Sequence, residues 1–300
     1  MLNLATILDE TARTKPTADG IILGDTRLPW AAVDAAARGV AAWLAARDIG
    51  PGHQVALTCP NVPWFPVAYY GILKTGATVV PLNVMLKPRE IAYHLADSQA
   101  SAFLCFSGNA ELPMAAMGAA AVAETPTCKT FGILPAGPDI ELPEGAEPVP
   151  FQVADAPPFD TVQRNSDDTA VILYTSGTTG TPKGAELTHS NMMMQALICR
   201  ELLQSRPDDA ALVALPLFHS FGQSVQLNTM TLAGGKLVLL PKFTPRSALK
   251  LMQEEKITVF CGVPAMYWSL LNQSRNADDA VALVFIPTKL AVHFYPLAGV

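Results

Sequence analysis

Residues 171–189, Val-Ile-Leu-Tyr-Thr-Ser-Gly-Thr-Thr-Gly-Thr-Pro-Lys-Gly-Ala-Glu-Leu-Thr-His, gather the densest set of reactive and hydrogen-bonding groups in the chain. The β-favouring residues 171–174 run into a loop of Ser, Thr and Gly, and Lys183 and Gly184 open a second extended segment. The pattern predicts strand, loop, strand. Gly177, Gly180 and Gly184 allow positive φ and close backbone approach. Thr175, Ser176, Thr178, Thr179 and Thr181 supply hydroxyls, and Lys183 supplies a mobile cation. Exposed N–H groups, hydroxyls and one ammonium at such spacing suit a polyphosphate. The Walker pattern does not fit, because Lys183 follows Pro182 and precedes Gly184, with no long helix directly behind it. A P-loop NTPase is therefore disfavoured. By composition alone, a flexible Gly/Ser/Thr hairpin remains the alternative.

Two further stretches leave the ends of expected strands, where α/β folds commonly build their sites. Residues 211–215 lead into Pro216-Leu217-Phe218-His219-Ser220-Phe221-Gly222, and residues 257–261 into Gly262-Val263-Pro264-Ala265-Met266-Tyr267. His219 and Phe221 are candidate pocket residues, with plain core packing as the alternative. Met192 and Met193, on the helix expected after the loop, either fill the core or touch an apolar ligand.

The order Tyr-Thr-Ser-Gly-Thr-Thr-Gly-x-Pro-Lys-Gly over residues 174–184 resembles the signature of the adenylate-forming superfamily. That superfamily contains acyl-CoA synthetases, luciferases and nonribosomal-peptide adenylation domains. Residues 73–83 are similar to its Lys, small, Gly-Ala, apolar, Pro-Leu motif, and residues 30–44 resemble the preceding helix. Residues 216–222 are similar to its Pro-x-Phe-His-x-Phe-Gly motif, whose aromatic and His positions line the acceptor pocket and help to place the carboxylate. Residues 262–267 resemble a wall of the acyl pocket.

The resemblance implies a two-step acid–thiol ligation. A carboxylate attacks the α-phosphate of ATP to give an acyl-adenylate, and CoA then displaces AMP. It assigns Lys183 and His219 to catalysis, and Thr175, Ser176, Gly177, Thr178, Thr179, Gly180, Thr181, Lys183 and Gly184 to the nucleotide. Thr178 would share Mg2+. The substrate pocket would contain His219, Phe221, Gly222, Val263, Met266 and Tyr267. Within the superfamily, the segment Phe-His-Ser-Phe-Gly-Gln and the absence of a carrier-domain region make a fatty acyl-CoA synthetase, for a long- or medium-chain acid, the expected member; the pocket residues do not set the chain length.

The elements that must position these groups follow from periodicity. Val33, Ala36, Ala37, Val40, Ala41 and Leu44 share one helix face. Strands are expected at 54–58, 78–81 and 102–106, with helices after Asn61, whose side chain can cap the first, and after Pro88. Lys74 and Asn83 read as a helix-terminal cation and a turn residue. Residues 135–160, acidic and punctuated by seven prolines, predict an extended connector. Beyond it, strands at 236–240 and 257–261 alternate with a helix opened by Thr244. Such alternation argues for an α/β fold of two lobes, about 1–134 and 161–300, with largely parallel sheets covered by helices.

Composition excludes other classes. The 300 residues are half apolar and only 15% charged, which fits a packed enzyme. A net charge of -6 with no basic run argues against nucleic acid as a partner. Cys59, Cys105, Cys128, Cys199 and Cys261 are scattered without CxxC spacing and read as buried thiols of a reducing compartment. No apolar run reaches membrane-spanning length and no leader is apparent, so the expected location is cytoplasmic.

The resemblance ends near residue 290. There the superfamily continues with a small-residue turn beside the adenine, where this chain has His293, Phe294 and Tyr295. The resemblance therefore implies an incomplete N-terminal domain without the C-terminal domain. Two expectations follow: a ligase truncated or completed elsewhere, or an inactive remnant that at most binds nucleotide, produced by a reading-frame slip near residue 290.

Overall fold

The computed structural model describes residues 1–151, 154, 156–175, 180–275 and 289–292. The chain begins with helix α1 (Thr6–Thr14), the hairpin β1 (Asp19–Leu23) and β2 (Thr26–Pro29), and α2 (Trp30–Ala45). Strands and helices then alternate through β3 (Gln54–Thr58), α3 (Trp64–Lys74), β4 (Thr78–Leu82), α4 (Pro88–Asp97), β5 (Ala100–Phe106), α5 (Met114–Ala123) and β6 (Thr130–Leu134). After the short β7 (Ala146–Pro148) come the hairpin β8 (Thr169–Thr175) and β9 (Lys183–Thr188), α6 (His189–Leu202) and β10 (Ala210–Val213). A π-helix (Gly222–Asn228) runs into α7 (Thr229–Ala233). The last elements are β11 (Lys236–Leu239), α8 (Pro245–Glu254), β12 (Val259–Gly262), α9 (Pro264–Arg275) and β13 (Lys289–Val292).

Two sheets form, ordered β7-β6-β5-β3-β4-β8-β9 and β13-β12-β10-β11-β1-β2. The described pairings are parallel except for the hairpins β1–β2 and β8–β9. The fold class is the expected α/β arrangement. Strand β4 is buried along its whole length, as expected of a parallel strand covered on both faces.

The sheets do not coincide with the sequence on either side of residues 135–160. Strand β8 joins the first sheet beside β4, with Val79 opposite Val171 and the Thr78 hydroxyl donating to the Thr169 carbonyl at 2.9 Å. In exchange, β1 joins the second sheet beside β11, with Ile21 opposite Leu237. Each sheet thus borrows a hairpin across the connector. A boundary drawn from composition does not follow this exchange, because strand pairing is non-local. The described residues of the connector are irregular apart from β7, which extends the first sheet beside β6.

Asn61 does not cap α3, which starts after Pro63. Its amide instead spans the two sheets: Nδ2 donates to the carbonyls of Val213 at 3.2 Å and Leu215 at 2.9 Å, and Oδ1 accepts the Leu217 N–H at 2.9 Å. The segment leaving β10 is thereby strapped to the end of β3. All five cysteines are free and buried. Among the described residues no helix is long and apolar enough to cross a membrane.

Candidate active site

The β8–β9 hairpin holds the described part of the phosphate-type loop. Thr175 and Lys183 face each other as the last register pair, and Tyr174 faces Gly184. Thr175, Gly180, Thr181 and Lys183 are exposed, so their donors are open to a ligand. Gly180 has φ 84°, a left-handed conformation that explains glycine there. Gly184 is glycine for a different reason. It lies in the strand, and a Cβ would come within 2.8 Å of Ile172 Cγ2 and 3.4 Å of the Tyr174 ring. Ser176, Gly177, Thr178 and Thr179 lie outside the described residues, and with them the expected Mg2+ position at Thr178.

Helix α4 grips both arms of this hairpin. Tyr93 donates its hydroxyl to the Pro182 carbonyl at 2.8 Å, directly before Lys183. Tyr174 donates to Asp97 Oδ2 at 2.6 Å, and its ring meets the His94 ring edge-on at 4.4 Å. α4 is itself fixed by Pro88 in its first turn and by Glu90, which accepts the Lys87 N–H at 2.7 Å.

Strand β9 passes directly into α6. Thr188 caps that helix by accepting the Asn191 N–H at 3.1 Å, while Asn191 Oδ1 accepts the Thr188 N–H at 3.1 Å. His189 is buried at the start of α6, where Nδ1 accepts the Leu4 N–H at 3.0 Å and Nε2 has no protein partner. Burial, and secondarily the Arg164 charge, hold its pKa down at about 4 against the opposing pull of Asp168.

The consequence is a pH dependence of stability. His189 is neutral when folded and protonates near its ordinary value when unfolded. Stability is therefore fully present above about pH 6.5 and is lost as pH falls towards 4. Between pH 7 and pH 5 the loss is expected to be about 2 kcal/mol. Urea unfolding at the two pH values checks this, and His189→Asn should remove most of the difference. An equal pH loss in that variant would refute the assignment.

Between α6 and the turn after β10 lies a cavity of about 300 Å³. Leu187, Met192, Phe221 and Val225 form apolar walls, and Gln195 and Ser224 contribute polar groups. Met192 is thus both buried core and cavity wall. Of the expected pocket residues on this turn, Phe221 is among the lining residues, whereas His219 and Gly222 are not. His219 keeps an exposed surface while its ring lies 4.7 Å from that of Phe218. Desolvation of the imidazole shifts its pKa below the ordinary value, favouring the neutral form.

Gly222 starts the π-helix against the preceding turn. A Cβ there would come within 2.2 Å of the Pro216 carbonyl oxygen and 2.8 Å of Leu217 Cα, both backbone atoms that cannot swing away. Gly222→Ala is expected to destabilise the chain by about 2 kcal/mol, and thermal unfolding checks this. An unchanged Tm would mean that the turn carrying His219 shifts freely.

Strand β12 lies beside β10 in parallel, with Leu212 opposite Phe260, so the two segments leave the same end of the sheet. The cavity lining does not include Val263, Met266 or Tyr267. Val263 and Met266 pack against the main apolar core. Tyr267 donates to the Phe260 carbonyl at 3.1 Å, and burial raises its pKa to about 12. Neighbouring β13 continues the sheet, with Phe260 opposite Leu290. His293, Phe294 and Tyr295 lie outside the described residues, so the expectation about the adenine-side turn falls there too. Among the described residues no group of three His, Cys, Asp or Glu side chains is arranged to hold a metal. Sequence reasoning missed Tyr93 and Asp97 and misread Asn61, because their partners Pro182, Tyr174 and the segment 213–217 lie far away in the chain.

A family model described as AMP-binding enzyme matches residues 8–286. Feruloyl-CoA synthase of Amycolatopsis sp is 32% identical over 264 residues, covering 88% of this chain and 49% of the relative. Long-chain-fatty-acid–CoA ligase FadD13 of Mycobacterium tuberculosis is 31% identical over 285 residues, covering 94% and 53%. The crystal structure of ATP-bound MatB from Rhodopseudomonas palustris superposes with a TM-score of 0.76 at 31% identity, covering 90% of this chain and 51% of that one. The chain spans about half the length of these relatives. With the family model matching nearly the whole chain, and the hairpin and strand-end turns in place, the chain belongs to the AMP-binding enzyme family.

Proposed function

We propose that the chain serves ATP-dependent activation of a carboxylic acid, forming an acyl-adenylate and then an acyl-CoA. The observation that carries this reading is the direct run of β9 into α6: one hairpin presents Lys183 to solvent, and the helix that follows walls a largely apolar cavity with Phe221. A phosphate-facing group and an acyl-sized cavity are thereby built on one continuous segment.

In the first step the carboxylate oxygen attacks the α-phosphorus of ATP, and the bond to the pyrophosphate oxygen breaks. In the second, the CoA sulfur, as thiolate, attacks the acyl carbonyl and AMP leaves. Much of the protein's part is positioning and charge neutralisation. Lys183, the hydroxyls of Thr175 and Thr181 and the backbone at Gly180 would hold phosphate oxygens. Neutral His219, next in the chain to the cavity-lining Ser220, would orient the carboxylate. Mg2+, when bound with the nucleotide, would supply further neutralisation of phosphate charge.

The acid proposed is a fatty acid. Leu187, Met192, Phe221 and Val225 offer alkyl and aromatic surface, and about 300 Å³ lies at the lower end of the volumes of ligand pockets, which favours a medium chain over a long one. ATP–pyrophosphate exchange with medium-chain, long-chain and aryl acids tests the reading. Exchange strongest with the medium-chain acid supports it. Exchange only with an aryl acid would overturn the substrate class. No exchange despite measurable ATP binding would instead make the chain a nucleotide-binding remnant.

A further inference from the structure

We propose that Tyr93 on α4 is a positioning residue for the nucleotide, acting through the backbone that precedes Lys183. The inference rests on the reading of the β8–β9 hairpin as the phosphate-gripping element. The Tyr93 hydroxyl donates to the Pro182 carbonyl at 2.8 Å. Proline has no N–H, so Pro182 cannot donate to a ladder, and its carbonyl is what remains to anchor the strand entry. On the opposite arm, Asp97 accepts from the Tyr174 hydroxyl at 2.6 Å, one residue before Thr175.

The two bonds come from side chains one helical turn apart on α4 and hold both arms at the mouth of the loop. The geometry explains further features. The Tyr174 ring lies over Gly184, where a side chain would crowd it, and it meets the rings of both His94 and Tyr93 edge-on. α4 packs its other face through the buried Ile91, Ala92 and Leu95 into the second apolar cluster of the protein. The clamp is therefore anchored to the sheet core and not to the loop. A glycine-rich loop between unclamped arms would have to be ordered by the ligand at an entropic cost. With its arms held, less of that cost falls on binding.

Tyr93→Phe keeps the ring and its packing and deletes the hydroxyl that bonds the Pro182 carbonyl and also interacts with the Asp97 carboxylate. ATP is expected to bind about 2- to 10-fold more weakly by calorimetry, as for loss of one hydrogen bond, with Tm lowered by no more than about 4 °C. A second readout does not need ATP. Trypsin cleavage at Lys183–Gly184, followed by mass spectrometry of the fragment beginning at Gly184, is expected to accelerate by a similar factor in the variant. Unchanged cleavage and unchanged ATP affinity in Tyr93→Phe would overturn the proposal. So would a larger fall in Tm with cleavage accelerated equally at sites remote from the hairpin, which marks a general structural role. Failure of the unmodified protein to bind ATP would instead count against the nucleotide reading, while the cleavage comparison would still decide the clamp.

Discussion

Lys183→Ala is expected to lower ATP-dependent turnover by about one to two decades, as when a hydrogen bond to a charged group worth about 1.5–3 kcal/mol is removed. The location of the residue supports this size. Lys183 opens β9 opposite Thr175, so its backbone is set by the hairpin register while its side chain stays exposed. Before nucleotide arrives the ammonium is hydrated and its truncation should leave the fold intact. When a polyphosphate is bound, water is displaced and the same charge faces phosphate oxygens, so the loss should appear in ATP affinity and turnover and not in Tm. Lys183→Arg retains the charge but presents a planar fork in place of a compact point charge, so partial recovery is expected. Pyrophosphate exchange and ATP titration check the series. A Lys183→Ala rate equal to that of the unmodified protein would remove Lys183 from the site.

The parts of this site that could be read from the sequence are those whose chemistry is local. The two strands of the hairpin, β8 and β9, and the opening of α8 by Thr244 both follow from residue type and neighbours. Other features depend on partners far away in the chain. Asn61 has the type and place of a helix cap, yet its three bonds go to residues more than 150 positions later. Gly184 looks like a ligand-contact glycine, whereas Ile172 and Tyr174 across the hairpin account for its missing side chain. The π-helix that begins at Gly222 has no sequence signature of its own, because a change of hydrogen-bond spacing from four to five leaves little trace in so short a pattern. The crossing of β1 and β8 between sheets is invisible for the same reason: a strand's composition records its burial and not its neighbour.

Lys74 carries the largest expected effect on stability. As a cation in the last turn of α3 it satisfies the helix dipole, and its sequence context asks for nothing more. In the fold it is only 1% exposed, paired with Asp9 of α1 and, at 2.8 Å, with Asp34 of α2. Thr161, beyond the proline-rich connector, lies 3.5 Å from the same ammonium, and the Lys74 carbonyl accepts the Val162 N–H at 2.8 Å. One side chain therefore ties three helices and the returning chain together at a point that water barely reaches. Lys74→Met preserves the apolar stem but leaves Asp34 facing a dry neighbour. Arg38 still contacts Asp34 at 3.0 Å, so the loss should fall at the lower end for a broken buried pair, about 3 kcal/mol. If the cost comes from the stranded carboxylate, adding Asp34→Asn to Lys74→Met should restore part of the stability. If it comes from the lost attraction alone, the second change should restore nothing. Urea unfolding of the single and double variants separates the two, and a Lys74→Met variant as stable as the unmodified chain would show that the buried cluster contributes no net stability.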